Sequence, residues 1–575
     1  MTISSAFSAA LLAGLAAIAG AAVQEAPPLT GPVLWFHTMQ NLNNDEQWPE
    51  YSARLERAAK AGYTHVSIFD SRFIMQALQT PEYKAKVKRF RTRCDELGLK
   101  IAANTMPWGY GEEMMSNDVN ISEGMPVRNA PFIVRDGRLV PHDPDISLVN
   151  GGLEQWSGDQ ATGWQVDDVG VVAFRDAEVK SEGEASLRFT DMVKGEHQRS
   201  RLIQRIAVQP FRNYRVSAMV RTQDCTNGDN RMMAHNRFPL NWNPLPIEPT
   251  MDWRRIDITF NSLEETDVGI YIGSWAGGSG TMWVDDVTIE PAGFVNVIRR
   301  ESSPITITGA DGTAYEEGRD YGRVEQGLNY RVEPWHQPPV VAIPAGSRLK
   351  EGQVVLASYE HALQNMTTNN MAICMSEPKA YELARDEIEF LAEHLDPQVY
   401  FLAHDEIRMC GWDHACSSRG LTPGQLLADN IAKCVAIVEQ VDPGKPMVVW
   451  SDMFDPHHNA YGRDGGAHGA EPYFFLAKGE YPWLESWKGM PARLGVANWN
   501  NGNVDSVRFF AKQGHPQVLS HNDPATLATW LEQAGGEPGV VGAMYTTWDD
   551  RWDRLEAYAE VFKAWRDRAG AAPAR

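Results

Sequence analysis

The stretch VYFLAHDEIRMCGWD, residues 399–413, decides the fold that we predict for this chain. It begins with apolar side chains and then presents His404, Asp405 and Glu406 in succession. Adjacent carboxylates do not suit the interior of a buried strand, because an unpaired buried charge is costly. The pattern is typical of a strand in a parallel α/β barrel, where polar side chains gather at the carboxyl ends of the strands.

Other apolar runs end in the same way and alternate with helical stretches. Three lie before residue 145, and five to six lie after residue 365. This alternation predicts an α/β protein whose core is a (β/α)8 TIM barrel. The stretch between the two sets is rich in short alternating segments separated by Gly, Asn and Asp, which is typical of an all-β sandwich.

We therefore predict a barrel that is interrupted after strand 3 by an all-β sandwich and a small β segment. The predicted segments are a signal peptide (1–22), the first barrel part with strands 1–3 (23–144), the sandwich (145–292), the small β segment (293–364) and the second barrel part with strands 4–8 (365–575).

The predicted signal peptide contains an apolar run, residues 6–22, with Ala19-Gly20-Ala21 near its end. That tripeptide resembles a cleavage site, although no Lys or Arg precedes the run. The run is short for a membrane span and is followed by polar chain. We expect an exported protein, periplasmic or secreted, with no membrane partner after cleavage; an uncleaved anchor is the alternative.

The charge and composition of the chain restrict the classes of partner that we expect it to bind. The formal net charge of −22 argues against nucleic acid and anionic membranes, which require a basic surface. The 19 Trp supply flat apolar faces of the kind that stack on sugar rings, or else they fill the core. We expect an oligo- or polysaccharide substrate, and the sequence indicates no oligomeric state.

The six cysteines are scattered and do not form a disulfide framework. Cys410 and Cys416 are close enough in sequence for a local bridge in an oxidising compartment. Cys410, His414 and Cys416 can instead be considered as metal ligands, but no fourth ligand has a typical zinc spacing. We predict neither a metal nor a cofactor.

The predicted strand ends supply the candidate site. Paired carboxylates suit cleavage of a glycosidic bond, because one must donate a proton while the other stabilises positive charge. Two close carboxylates shift each other's pKa apart, which keeps one protonated near neutral pH. Adjacent side chains of a regular strand point to opposite faces, so Asp405 and Glu406 can share a site only if the backbone turns there.

Aromatic and polar side chains at the other strand ends form the predicted sugar-binding rim. Asp70, Asn104 and His521 are equally interpretable as capping or turn residues. The predicted substrate-binding residues are His37, Asp70, His404, Trp450, Asp452, Trp499, Asn500, Asp523, Tyr545, Trp548 and Asp550.

Residues 372–565 resemble the catalytic barrel of family 20 glycoside hydrolases, the β-N-acetylhexosaminidases. The stretches YFLAHDEIRMCGW, KPMVVWSDMFD and VVGAMYTTWDD keep the order of that family's Asp-Glu strand, Trp-Asp strand and last barrel strand. The resemblance implies a substrate-assisted retaining mechanism. In it Asp405 would orient the acetamido group, Glu406 would be the general acid/base, and Trp450, Trp499 and Trp548 would form the aromatic walls.

The predicted sandwich resembles jelly-roll carbohydrate-binding modules in its opening and closing phrases. The matching residues are Asn150, Gly151, Gly152, Glu154 and Trp156 at the start and Trp283, Asp285, Asp286 and Val287 at the end. Sugar binding and a purely structural spacer are both compatible with these phrases.

Departures from the family 20 pattern keep two other hypotheses open. The two glycines that precede the Asp-Glu pair in that family are absent, and the first strand lacks a sugar-binding Arg. One alternative is a glycosidase for a sugar without an acetamido group, using Glu406 with Asp452 or Asp549. The other is a non-catalytic glycan-binding protein on a degenerate barrel.

Overall fold

Eight parallel strands close into a barrel at the centre of the fold. The computed structural model describes residues 25–196, 198–226, 228–364, 370–462 and 476–571, so the predicted signal peptide lies outside the described residues. The barrel strands are β1 (Val33–Met39), β2 (His65–Phe69), β3 (Lys100–Thr105), β4 (Val399–Leu402), β5 (Met447–Trp450), β6 (Gly495–Asn498), β7 (Gln517–His521) and β8 (Val540–Thr546).

Each barrel strand is apolar on both faces because each face is covered. In β4, Val399 and Phe401 point into the barrel and pack in its interior cluster. Tyr400 and Leu402 point outward into the layer between strands and helices. This alternation is the period of two that a strand imposes, and it decides which side chains of each strand reach the barrel mouth.

Helices cover the outside of the barrel. The longer α-helices of the described residues are α1 (Trp48–Ala61), α2 (Pro81–Leu97), α3 (Pro378–His394), α4 (Pro423–Val441), α5 (Val504–Gln513), α6 (Pro524–Ala534) and α7 (Leu555–Ala571). Their starts are encoded locally: α4 begins with a capping box between Thr422 and Gln425 and a Pro at its first position. None of the helices described is long and apolar enough to cross a membrane.

The predicted barrel is confirmed in its coarser form, a mixed α/β protein with a closed eight-strand parallel barrel and separate antiparallel sheets. The regular (β/α)8 repeat is not confirmed. Between β5 and β6 the described residues form a 3₁₀-helix, Ser486–Gly489, where an α-helix would complete the repeat. Two short α-helices, Glu112–Met115 and His414–Ser417, lie in the loops after β3 and β4.

Two five-stranded antiparallel sheets occupy most of the segment predicted as a sandwich. One sheet contains Met251–Asn261, Asn213–Thr226, Ser279–Pro291, Ser186–Thr190 and Ala173–Asp176. The other contains Pro239–Pro244, Asn230–His235, Asp267–Ser274, Ser200–Ala207 and Gln165–Val166. Apolar side chains from both sheets belong to one buried cluster.

A six-stranded sheet joins the barrel to these two sheets. Its strands are Ala314–Tyr315, Thr306–Gly309, Val354–His361, Met125–Arg135, Arg138–Pro141 and Val341–Ala342. Its strands therefore come from residues both before and after the sandwich segment. The prediction that 23–144 belongs to the barrel is wrong for Met125–Pro141, because these strands pair with Val354–His361 and not with β3.

Candidate active site

The carboxyl end of β4 directs His404 and Asp405 to opposite sides. His404 continues the outward face, is fully buried, and its Nε2 lies 3.0 Å from Oδ1 of Asn430 on α4. Burial lowers the pKa of His404 to about 3, so the ring is neutral. Alternate side chains counted from Phe401 point into the barrel, so Asp405 faces the barrel mouth. His404 is therefore a packing residue, and its prediction as a substrate ligand is wrong.

A backbone turn places Glu406 beside Asp405. β4 ends at Leu402, and Glu406 adopts a left-handed conformation with φ of 46°. Its N–H donates to Oδ2 of Asp452 over 3.0 Å. Gly109 packs so tightly on this turn that a Cβ there would lie 2.1 Å from the carbonyl oxygen of Asp405. The turn that the sequence required for a shared carboxylate site is present.

The Glu406 carboxylate is held by a cation and a hydroxyl. Arg408 Nη2 lies 2.6 Å from Glu406 Oε2, and the Tyr110 hydroxyl donates to the same oxygen. Both contacts hold the carboxylate in place. The side chain is nevertheless 44% exposed, so one face remains open to a ligand.

Asp405 and Asp452 hold protons more tightly than ordinary aspartates. Burial, followed by the charge of Glu406, raises the pKa of Asp405 to about 7. Burial, followed by the charges of Asp405 and Glu406, raises the pKa of Asp452 well above its usual range. Oδ1 of Asp452 is buried without a hydrogen-bond partner among the described residues. Both aspartates can therefore hold a proton beside Glu406.

Aromatic rings line the mouth beside these carboxyls. Trp450, Trp499 and Trp548 are mutual neighbours, with ring centroids 6.1 to 6.3 Å apart. His37 lies 4.9 Å from the Trp548 ring and 3.0 Å from Ser67 Oγ through Nδ1. Burial lowers the pKa of His37 to about 3, so this ring is neutral too. The structure thus brings together Trp450, Trp499, Trp548 and His37 as predicted.

Three of the predicted ligands instead point away from the mouth. Asp70 is buried and accepts hydrogen bonds from the backbone N–H groups of Leu42 and Arg72. Asn500 is buried and donates to Asp455 over 2.8 Å. Tyr545 is buried among the helices, where its hydroxyl donates to the carbonyl of Arg551. All three stand at positions whose side chains point out of the barrel, so their assignment as substrate ligands is wrong.

The carboxylates of two further predicted ligands form hydrogen bonds and ion pairs with neighbouring protein groups. Asp523 caps α6 through the N–H of Thr526 and pairs with Arg554 at 2.7 Å. Asp550 pairs with Arg54 of α1 at 2.7 Å and accepts from Trp552. Asp523 thus caps a helix and Asp550 pairs with a helix side chain, while their binding of substrate stays a prediction. The side chain of Asp549 lies outside the described residues.

Two residues of the site were missed by the sequence analysis. Tyr110 lies in the loop after β3, 296 positions from Glu406, and Arg408 stands only two positions after it. Arg408 could have been found as the cation nearest to the acid pair. Nothing local marks Tyr110, because its contact depends on the closure of the barrel between β3 and β4.

The local Cys410–Cys416 bridge that the sequence allows is not formed. All six cysteines are free and buried. The Cys416 thiol lies against that of Cys374, at 3.6 Å.

The two sequence stretches that resemble carbohydrate-binding modules form hydrogen bonds that connect neighbouring loops and strands. Asn150 accepts from the N–H groups of Glu154 and Gln155 and donates to two carbonyls. Asp285, fully buried, accepts from the N–H of Ser181. Trp283 Nε1 donates to Asp176 over 3.0 Å. These contacts give the phrases a structural role.

Comparison with known proteins gives remote likenesses. No protein-family model matches the sequence, and no curated protein matches it. A rhamnosidase from Novosphingobium sp. PP1Y is similar over 90% of this chain and 55% of its own, at 12% identity and a TM-score of 0.31. A family 16 carbohydrate-binding module covers 25% of this chain and 98% of its own, at 15% identity and a TM-score of 0.20. A xylan-binding domain from Paenibacillus barcinonensis covers 26% and 94%, at 15% identity and a TM-score of 0.20. TM-scores this low decide neither the fold nor the function of this chain.

Proposed function

We propose that this protein is a glycoside hydrolase whose active site is the mouth of the barrel. The observation that carries the proposal is the placement of Asp405, Glu406 and Asp452 at the ends of β4 and β5, with two of the three holding raised pKa values. Hydrolysis of a glycosidic bond requires one protonated and one charged carboxyl, and this site supplies both. The tryptophans beside it offer apolar faces for the C–H side of a sugar ring.

We assign the catalytic roles from the surroundings of the three acids. Asp405, with a pKa of about 7, is the general acid that protonates the leaving oxygen. Glu406, paired with Arg408, is the carboxylate that stabilises or attacks the developing oxocarbenium ion. Asp452 accepts the backbone N–H of Glu406 and so holds the turn in place.

This assignment is the reverse of the one that the family 20 resemblance implies, in which Glu406 is the acid. It therefore favours a direct pair of Asp405 and Glu406 over the substrate-assisted mechanism on an N-acetylhexosamine, and this pair also differs from the alternative in which Glu406 acts with Asp452 or Asp549. Glu406 receives the second role because it is paired with Arg408 and accepts a hydrogen bond from Tyr110, whereas Asp405 has the raised pKa.

We also propose that the chain is exported, on the basis of the apolar segment 6–22 and the small residues Ala19-Gly20-Ala21 near its end. An exported hydrolase would meet polysaccharide outside the cytoplasm. Amino-terminal sequencing of the protein recovered from its native host tests this: a mature start near residue 22 is expected, and an intact start in the cytoplasm would contradict it.

The experiment for the activity is hydrolysis of a panel of aryl α- and β-glycosides of neutral, deoxy and N-acetylamino sugars. We compare the unchanged protein with Glu406→Gln and with Glu389→Gln, which changes an exposed glutamate on α3. We expect at least one glycoside to be hydrolysed, with a loss of about 100-fold or more in Glu406→Gln and none in the control.

Two outcomes overturn the proposal. Glycan binding without hydrolysis of any panel member by the folded protein would make it a binding protein. Equal turnover by Glu406→Gln would place the chemistry elsewhere. Hydrolysis restricted to N-acetylamino glycosides would keep the hydrolase but restore the substrate-assisted mechanism.

A further inference from the structure

A second cluster of reactive side chains lies behind the loop that carries Asp405 and Glu406. Glu123, Cys374, Asp413 and Cys416 are all fully buried, and one potential ligand atom from each lies within 4.8 Å of the others. Glu123 comes from the connection after β3, Cys374 from the segment before α3, and the other two from the loop after β4. None of them is used by the proposed hydrolysis.

The distances in this cluster match the edges of a tetrahedral site. Sγ of Cys374 and Sγ of Cys416 are 3.6 Å apart, and Sγ of Cys416 is 3.4 Å from Oε2 of Glu123. Around zinc, bonds of about 2.3 Å to sulfur and about 2.0 Å to oxygen give edges of about 3.8 and about 3.5 Å. Two edges of the cluster therefore already lie within a few tenths of an ångström of these values, and the third lies within 4.8 Å.

Asp413 supports the site without being needed as a ligand. Its Oδ1 accepts the N–H of Cys416 at 2.7 Å, and its Oδ2 pairs with Arg300 at 2.5 Å. Arg300 therefore balances the charge of Asp413 and leaves Glu123 and the two thiols for a cation.

We propose that Cys374, Cys416 and Glu123 bind a divalent ion of the zinc class. Thiolates select soft and borderline cations over magnesium or calcium. Binding forms the bonds from the ion to sulfur and to the carboxylate oxygen, and the displaced thiol protons pass to solvent. No oxidant or reductant takes part.

The position of the ion gives it a structural purpose. It would join the connection after β3, the segment before α3 and the loop after β4 at one point. Arg408 and Glu406 stand in that same loop, a few residues before Cys416. Because the cluster is buried, the ion would enter as the chain folds and would then hold the loop that presents the acids.

The test is the zinc content of the full-length protein, purified from zinc-supplemented cells without chelators and measured by inductively coupled plasma mass spectrometry. We expect roughly one zinc per chain, as a structural site requires. Cys416→Ser and Glu123→Gln should lose most of it. Cys94→Ser, which changes a buried cysteine in α2 remote from the cluster, should keep it.

X-ray absorption at the zinc edge keeps the proposal falsifiable if a variant fails to fold, because it uses the unchanged protein. We expect sulfur at about 2.3 Å together with oxygen at about 2.0 Å. A metal-free protein after refolding with zinc would overturn the proposal. So would a Cys374–Cys416 disulfide found by peptide mass spectrometry, zinc without sulfur ligands, or zinc retained in Cys416→Ser.

Discussion

The backbone N–H of Glu406 donates to the carboxylate of Asp452 over 3.0 Å, which connects the ends of β4 and β5. This single bond fixes the turn that lets Glu406 and Asp405 face the same site. It also draws Asp452 to the two acids whose charges raise its pKa. This contact holds the turn, whereas burial and the neighbouring carboxylates raise the pKa of Asp452, and both effects can be tested.

The pH dependence of hydrolysis should report the proton held by Asp405. Because burial and Glu406 raise its pKa to about 7, activity should fall as the pH rises through that value and the acid loses its proton. Replacing Asp452 by Asn should leave the alkaline limb of the pH–kcat profile in place, because burial and Glu406, and not Asp452, raise the pKa of Asp405. A limb that moves in Asp452→Asn would show that Asp452 also controls the proton of Asp405.

Trp499 should contribute to substrate binding more than to stability. It is half-buried at the mouth and stacks on His521 at 5.7 Å. We expect Trp499→Ala to raise KM about tenfold, the effect of losing one aromatic platform of about 1.4 kcal/mol. The matched control is Trp487→Ala, which removes a half-buried ring that packs on Phe509 in the outer layer and should leave KM unchanged.

His404 should contribute to stability more than to substrate binding. Its ring is fully buried and hydrogen-bonded to Asn430, so His404→Ala leaves a cavity and an unpaired amide. We expect the free energy of unfolding in urea to fall by about 2–4 kcal/mol. KM of the folded fraction should stay the same, and a raised KM at unchanged stability would restore His404 as a ligand.

Glu387 on α3 should make the protein less stable as the pH rises. Burial raises its pKa from 4.5 to about 7, so the folded state keeps a proton that the unfolded state has already lost between these values. The free energy of unfolding should therefore fall from about pH 4.5 to about pH 7 on this account. Glu387→Gln has no proton to lose, so its unfolding free energy should decline less over the same window, as measured by urea titration at several pH values.

The number and order of the barrel strands could be predicted from the sequence because apolar runs and helix caps are local signals. The end of β4 was predicted together with its turn. The 3₁₀-helix Ser486–Gly489, which stands where an α-helix would complete the repeat, has no comparable local signal.

The direction of each side chain was predicted less well. Counting alternate positions from Phe401 places Asp405 inward and His404 outward, and the same count places Trp499 inward and Asn500 outward. That count was available from the sequence, given the register of each strand. The contact of Tyr110 with Glu406 was not, because it joins loops that only barrel closure brings together.

The most direct test of the central claim compares Asp405→Asn and Glu406→Gln on glycosides with good and poor leaving groups. A good leaving group needs no protonation. Asp405→Asn should therefore cleave a dinitrophenyl glycoside in its first step at close to the unchanged rate, while it loses about 100-fold or more on an alkyl glycoside. Glu406→Gln should be impaired on both substrates. If instead Glu406→Gln retains activity on the dinitrophenyl glycoside and Asp405→Asn loses it, Glu406 is the acid and the roles proposed here are contradicted.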